Sequence, residues 1–174
     1  MKVVGSRNGR GRITGSAAAP PPIYFTVAPP GAQEWEGRIM ALWLFKQEPG
    51  CYSFADLRRD GSTTWDGVTN ALAQKHLRAV KKGDRVLFYH TGDEKAVVGV
   101  MEVTAGPNPD PADETGKRVA VTVKPVRALK HPVTLAAIKA DPAFAGWELV
   151  RMARLSVMPL SPELWEKIEE MSQE

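Results

Sequence analysis

Three short apolar runs in this chain each end in aromatic rings set beside hydrogen-bonding side chains. They are Trp43-Leu44-Phe45-Lys46-Gln47-Glu48-Pro49, Trp65-Asp66-Gly67-Val68-Thr69-Asn70 and Leu87-Phe88-Tyr89-His90. Each reads as a strand whose far end carries chemistry. An aromatic face next to an amide, imidazole or ammonium suits a pocket that stacks a flat heterocycle and reads its edge. Stacking on such a face contributes about 1–3 kcal/mol per base, and the polar neighbours distinguish one base edge from another.

The segments around these runs alternate between strand and helix. Ala41 to Lys46 reads as a first strand, stopped by Pro49. Ser53, with Asp56 three residues on, forms a capping box for a helix through Phe54 and Leu57 that ends near Gly61. Thr63 to Trp65 fits a short strand. A second helix is expected from Thr69 to Val80, with Leu72, His76 and Val80 along one side. Lys75, Arg78, Lys81 and Lys82 surround its other side and its C-terminus, where the helix dipole favours cations.

After a turn at Gly83-Asp84, Arg85 to His90 and Lys95 to Val103 read as paired strands. Residues 105–116, with three Pro and two Gly, read as a loop. Alternation of Val119, Val121 and Val123 marks another strand over Lys117 to Leu129. Thr134 caps a short helix through Ile138, ended by Asp141-Pro142, and Leu155 to Leu160 is the last strand. Ser161 and Pro162 open a terminal helix with Leu164, Trp165 and Ile168 on its apolar face. Five or six short strands with interleaved helices and no internal repeat give a compact α+β domain around a small β-barrel.

The 174 residues suffice for one domain with a core and an appendage. Residues 1–39 hold five basic and two acidic residues, which leaves 18 basic and 18 acidic of the chain's 23 and 20 for residues 40–174. A neutral domain does not grip a long duplex by its phosphates alone; it needs a local patch or a pocket. Cys51 is the only cysteine, so no intrachain disulfide forms and a reducing, cytoplasmic setting fits. A Cys51 thiolate would need a nearby base; His76 is the candidate, without supporting spacing. His76, His90 and His131 have no metal-ligand spacing with one another or with Cys51, and no cofactor motif is present. No apolar run reaches membrane-spanning length.

Residues 1–39 are rich in Gly, Ser, Ala and Pro and are expected to be a disordered extension before a domain at 40–174. A basic arm touching nucleic acid and a passive tail are both compatible with that composition. A further reading comes from the coding possibilities of Trp35-Glu36-Gly37, which include a bacterial ribosome-binding sequence shortly before Met40. Translation is then expected to start at Met40, which the intact mass of the natively expressed protein tests.

In order along the chain stand Trp-Leu-Phe-Lys-x-Glu-Pro, Tyr-Ser-x-x-Asp-Leu, Trp-Asp-Gly-Val-x-Asn and Gly-Asp-x-Val-Leu-Phe-Tyr-His. Val-Gly-Val-x-Glu-Val, Pro-Val-Thr-Leu and Arg-Leu-Ser-Val-x-Pro follow, so that the set spans Trp43 to Pro159. Together these segments resemble the EVE domain. The resemblance implies a PUA-like barrel related to the YTH domains, which read methylated adenine in RNA. It also implies a non-enzymatic reader of a modified base in DNA or RNA, since the family includes domains fused to nucleases that recognise modified cytosine.

Carried over by position, Lys46, Gln47 and Glu48 match one pocket wall, with Gln47 where many members have Ser. Trp65 matches the aromatic platform, Asn70 the polar residue after its turn, and Tyr89 and His90 a strand end facing the pocket. Arg154 and Ser156 match a segment expected near the pocket mouth.

Each residue also has a structural explanation. Trp65 could be core, Asn70 a helix cap, Asp66 a turn residue, His90 an ordinary strand end, and Lys46 with Glu48 a surface ion pair. Lys75, Arg78, Lys81, Lys82 and Arg85 read either as a phosphate-contacting rim or as a solvated face. The leading expectation is a monomeric reader that takes one modified base out of its stack, without membrane attachment. The alternatives are an enzyme acting on a nucleotide or modified base, with Lys46, Glu48 and His90 as its titratable groups, and a protein-interaction module.

Overall fold

A computed structural model of the protein describes residues 32–35 and 38–174. Among the described residues, seven strands, five α-helices and one short 3-10 helix (Pro142–Phe144) form a mixed α+β fold. Strand β1 (Ala32–Trp35) and strand β2 (Arg38–Gln47) pair antiparallel, Ala32 opposite Ala41. The rest of the segment expected to be disordered lies outside the described residues. The observed hairpin places strand within 32–39, ahead of the boundary expected at Met40.

β2 pairs in parallel with β4 (Arg85–His90), Leu42 opposite Arg85 and Gln47 opposite His90. Parallel neighbours need a long crossover. Here it carries helix α1 (Phe54–Asp60), strand β3 (Thr63–Trp65) and helix α2 (Ala71–Ala79). The α1 capping box forms as expected, with Ser53 accepting from the Asp56 N–H and Asp56 accepting from the Ser53 N–H. Gly61 ends the helix at φ 78°, a left-handed cap that glycine adopts without steric cost.

The buried side of α2 is Ala73, Gln74 and Leu77, followed by Val80. Leu72 and His76, expected on that side, are only half-buried. The helix is rotated because Gln74 is drawn inward: its amide donates to Val68 O at 2.8 Å and accepts from the Val119 N–H at 2.9 Å.

Strands β5 (Ala96–Pro109) and β6 (Val119–Thr134) complete the sheet and are longer than expected. The stretch read as a loop from 105 is strand up to Pro109, because register shifts accommodate its Gly and Pro. Sheet order is β1-β2-β4-β5-β6-β3, and β7 (Val157–Leu160) pairs with β2. Among the described residues no ladder joins β3 to β7, so the barrel-like sheet stays open there. Helix α2 packs against β7, β6 and β5 and lies across that gap.

Side chains alternate across the pleat and pack on both faces of the sheet. On the inner face Phe45, Trp65 and Phe88 meet, with Phe54 of α1 edge-on to Phe88. A Cβ at Gly99 would stand 2.3 Å from the Phe54 ring, so glycine lets α1 approach. The outer face is covered by α3 (Leu135–Ala140), α4 (Glu148–Arg151) and α5 (Pro162–Met171). No described helix is long and apolar enough to cross a membrane.

Asp84 locks the sheet to the end of α2. Its buried carboxylate accepts from the Ala41 N–H at 3.1 Å, Trp43 Nε1 at 2.9 Å and the Lys81 N–H at 2.9 Å. The turn expected at Gly83-Asp84 is therefore also a buried polar anchor.

Candidate nucleic-acid interface

The residues expected to form one pocket are divided by the sheet. Lys46 and Tyr89 are opposite one another in the β2–β4 ladder, and so are Gln47 and His90. Because the pleat alternates, the first pair and the second pair lie on opposite faces. Ring contacts agree: Phe88 meets His90 edge-on on the inner face, whereas Lys46 Nζ lies 5.7 Å from the Tyr89 centroid on the outer one.

On the inner face Trp65 is enclosed. Its indole is 5% exposed, with the Phe45 and Phe88 rings each at 5.3 Å. In this conformation it offers no open face to a base and serves as a wall of the core. Antiparallel pairing of Trp65 with Val121 fixes its backbone. The following loop is held by the Gly67 N–H donating to Asp110 Oδ2 at 3.0 Å.

Asn70 caps α2, its Oδ1 accepting from the Ala73 N–H at 3.0 Å. Its side-chain NH2 group projects from an exposed residue and remains available as a donor. Gln47 is similar: Oε1 accepts from the Glu48 N–H at 3.0 Å, which leaves its NH2 as the free donor.

His90 is committed to the fold. Its Nε2 accepts from the Phe54 N–H at 3.0 Å, so Nδ1 carries the proton and donates to Glu94 at 2.5 Å. The ring is 7% exposed and holds the start of α1. Both nitrogens of the histidine expected to read a base are thus engaged within the fold. Glu48 forms no pair with Lys46; its Oε2 accepts from the Thr91 hydroxyl at 2.8 Å. The Thr91 N–H donates to Gln47 O, which ties the two strand ends together.

On the outer face Lys46 Nζ donates to Ala153 O at 3.0 Å. Burial lowers the Lys46 pKa and raises that of Tyr89. Arg154 is exposed, and Ser156 is half-buried with its carbonyl accepting from the Lys46 N–H. Both therefore flank the Lys46 strand end. Lys46 and Tyr89 open onto a cleft of about 180 Å³ that also includes Lys95, Lys139, Leu135 and Leu149. These last four were not legible as site residues, because 40 or more positions separate them from Lys46 and no local motif joins them.

Of the expected rim, Arg85 stands apart from the cations on α2 and at its C-terminus. Lys75 and Arg78 are exposed on α2, and Arg78 donates to Lys117 O at 2.6 Å. Lys81 and Lys82 are exposed at the opposite end of β4 from His90. Arg85 is half-buried and paired with Glu102 at 3.2 Å, beside Trp165 on the outer face. It is unsuited to a shared phosphate track with α2. Near that track, Asp113 organises the loop after β5, accepting from Thr115 and from the Lys117 and Arg118 N–H groups. The half-buried His76 ring packs near Trp43, and burial lowers its pKa. Among the described residues no group of three or more His, Cys, Asp or Glu could hold a metal.

The open sheet, its crossover and its strand-end chemistry define a PUA-like domain. The chain belongs to the EVE domain family, whose profile matches residues 41–171. It is 31% identical over 155 residues to human thymocyte nuclear protein 1, covering 70% of this chain and 69% of that one. The solution structure of Rpa0253 from Rhodopseudomonas palustris superposes with a TM-score of 0.73 at 40% identity, covering 77% of this chain and 94% of that one. A crystal structure of the human THYN1 protein in complex with 5-methylcytosine-containing DNA superposes with a TM-score of 0.71. That pair shares 28% identity over 77% of this chain and 98% of the human one.

Proposed function

We propose that this chain is a non-enzymatic reader of a modified base, of the 5-methylcytosine class, in DNA. The observation that carries this reading is the likeness to the human protein solved with DNA containing that base, which spans nearly all of that protein's resolved chain. One base leaves the duplex, at a cost of a few kcal/mol, and is received at the inner-face edge of the strand ends. Gln47 and Asn70 present amide donors there because their oxygens already serve local N–H groups. Cytosine offers O2 and N3 as acceptors to such donors. Trp65, packed against Phe45 and Phe88, serves there as a rigid wall.

A buried methyl group adds about 0.8 kcal/mol, a factor of about four in affinity. Preference for the methylated base is accordingly modest unless the flipped base is also easier to extrude. The test is fluorescence anisotropy of the full chain with matched duplexes bearing cytosine or 5-methylcytosine, beside Asn70→Ser. Serine keeps the helix cap and removes the amide donor. The reading expects tighter binding to the methylated duplex and a loss of affinity in Asn70→Ser without a loss of stability. Equal binding to both duplexes, unchanged by the substitution, would overturn it.

A further inference from the structure

The cleft on the outer face is built differently from the inner-face edge. It lies between the C-terminal ends of β2 and β4 and the helices α3 and α4, on the side of the sheet away from Trp65. Three lysines, Lys46, Lys95 and Lys139, are among its lining residues, and no lining residue is Asp or Glu. None of the three lysines forms an ion pair among the described residues. In a domain whose charges balance as a whole, this is a local excess of positive charge.

The cations are positioned by the fold. Lys46 is held over Tyr89, with its Nζ anchored on Ala153 O. Lys95 adopts φ 42°, a left-handed conformation uncommon for a residue with a Cβ. Its carbonyl accepts from the Leu135 N–H at 2.7 Å, which joins the strand-end turn to the first residue of α3. Lys139 sits in the last turn of α3. Leu135, Leu149 and Val150 supply apolar walls. The buried Tyr89 makes no hydroxyl hydrogen bond among the described residues and can donate into the cleft. The Glu48 carboxylate beside Gly92 accepts from the Thr91 hydroxyl, and Glu94 is engaged by His90 on the inner face.

We propose that this cleft is a phosphate-binding site in which Lys46, Lys95 and Lys139 hold the phosphate of a nucleotide while Leu135, Leu149 and Val150 pack against its sugar or base. Burial of Lys46 acts in the same direction, since an anion compensates the ammonium for the water it has lost. The phosphate has two possible sources with the same chemistry. It is either a free nucleotide or a backbone phosphate of a strand crossing the sheet edge, because Lys46 adjoins Gln47 and both faces share that edge.

The test is a titration of the full chain, followed by amide chemical shifts, with deoxycytidine 5′-monophosphate and separately with an unmethylated duplex. Lys95→Gln and Lys139→Gln are run alongside; both residues are exposed. Shifts at Leu135, Lys139 and Leu149 with the mononucleotide, undisplaced by duplex, assign a free-nucleotide site. Shifts there with duplex but not with mononucleotide assign a backbone phosphate. In either case each substitution weakens the responding ligand by about ten-fold or more, as expected for loss of a charge-assisted hydrogen bond. No shift at these residues with either ligand, or shifts unaltered in both variants, overturns the proposal. The assignment is independent of base reading, which the methylated-duplex comparison and Asn70→Ser test separately.

Discussion

Replacing Trp65 with alanine separates packing from recognition at the residue where the two readings differ most. Trp65 is 5% exposed and packs against the Phe45 and Phe88 rings, at 5.3 Å each. Truncating a buried Trp to Ala removes transfer free energy and leaves a cavity, at a cost of about 3–5 kcal/mol. Both neighbours belong to the central parallel pair of strands, which leaves little freedom for collapse into the gap. Small domains have about 5–15 kcal/mol in total, so the variant keeps only part of its stability. With a urea slope of about 2 kcal/mol/M, the unfolding midpoint falls by about 1.5–2.5 M.

The assay is equilibrium urea unfolding of wild type, Trp65→Phe and Trp65→Ala by circular dichroism at 15 °C. Phenylalanine keeps an aromatic wall and is expected to lie between the other two. A loss below about 1 kcal/mol for Trp65→Ala, in a fully folded variant, would refute the reasoning and restore Trp65 as a ring free to receive a base. DNA binding by the alanine variant is interpretable only under conditions where this experiment shows it folded.

Other substitutions probe the remaining contacts. Asp84→Ala strips the acceptor from Trp43 Nε1 and from the Ala41 and Lys81 N–H groups; thermal or urea unfolding is expected to show a loss of about 2–4 kcal/mol. Gly99→Ala drives a Cβ into the Phe54 ring and is expected to cost about 1–3 kcal/mol by displacing α1, seen as lost amide protection over residues 54–60. Hydrogen bonds from Thr115, then from the Arg118 and Thr115 backbone, hold the Asp113 carboxyl well below the usual carboxylate range. A lowered folded-state value stabilises above the unfolded value near 3.9, and that contribution is lost as pH falls towards the folded value. Asp113→Asn is therefore destabilised at neutral pH, and its gap to wild type narrows below about pH 4 in pH-dependent melts. With Arg85 paired to Glu102 and few cations left for phosphates, the salt dependence of duplex binding is expected to be shallow, a log–log slope of about −2 to −4.

The helix starts were legible because cap chemistry is local. Ser53 with Asp56, Asn70, Thr134 and Ser161 each bond the N–H three residues ahead, so the sequence carries the whole interaction. Helix α4 was missed: it has four residues, and Trp147 supplies no side-chain cap. The extension of β5 to Pro109 was hidden because Gly106 and Pro107 signal a turn unless a partner strand absorbs the irregular register, and that partner is β6.

The site was legible in composition but not in handedness. Lys46 and Gln47, like Tyr89 and His90, are sequence neighbours, and the EVE resemblance assigns all four to one pocket. Strand alternation, visible in the sequence once β2 and β4 are strands, sends them to opposite faces. Lys95 and Lys139 join Lys46 only through tertiary packing, for which no motif exists. His90 could be placed as structural only once the start of α1 was known to lie against it.

The most direct measurement is a crystal structure of the full chain bound to a duplex carrying one 5-methylcytosine. The account predicts that base outside its stack, with its edge at the Gln47 and Asn70 amides on the inner face. A methylated base still stacked in the duplex, or lodged among Lys46, Lys95 and Lys139 on the outer face, would contradict it.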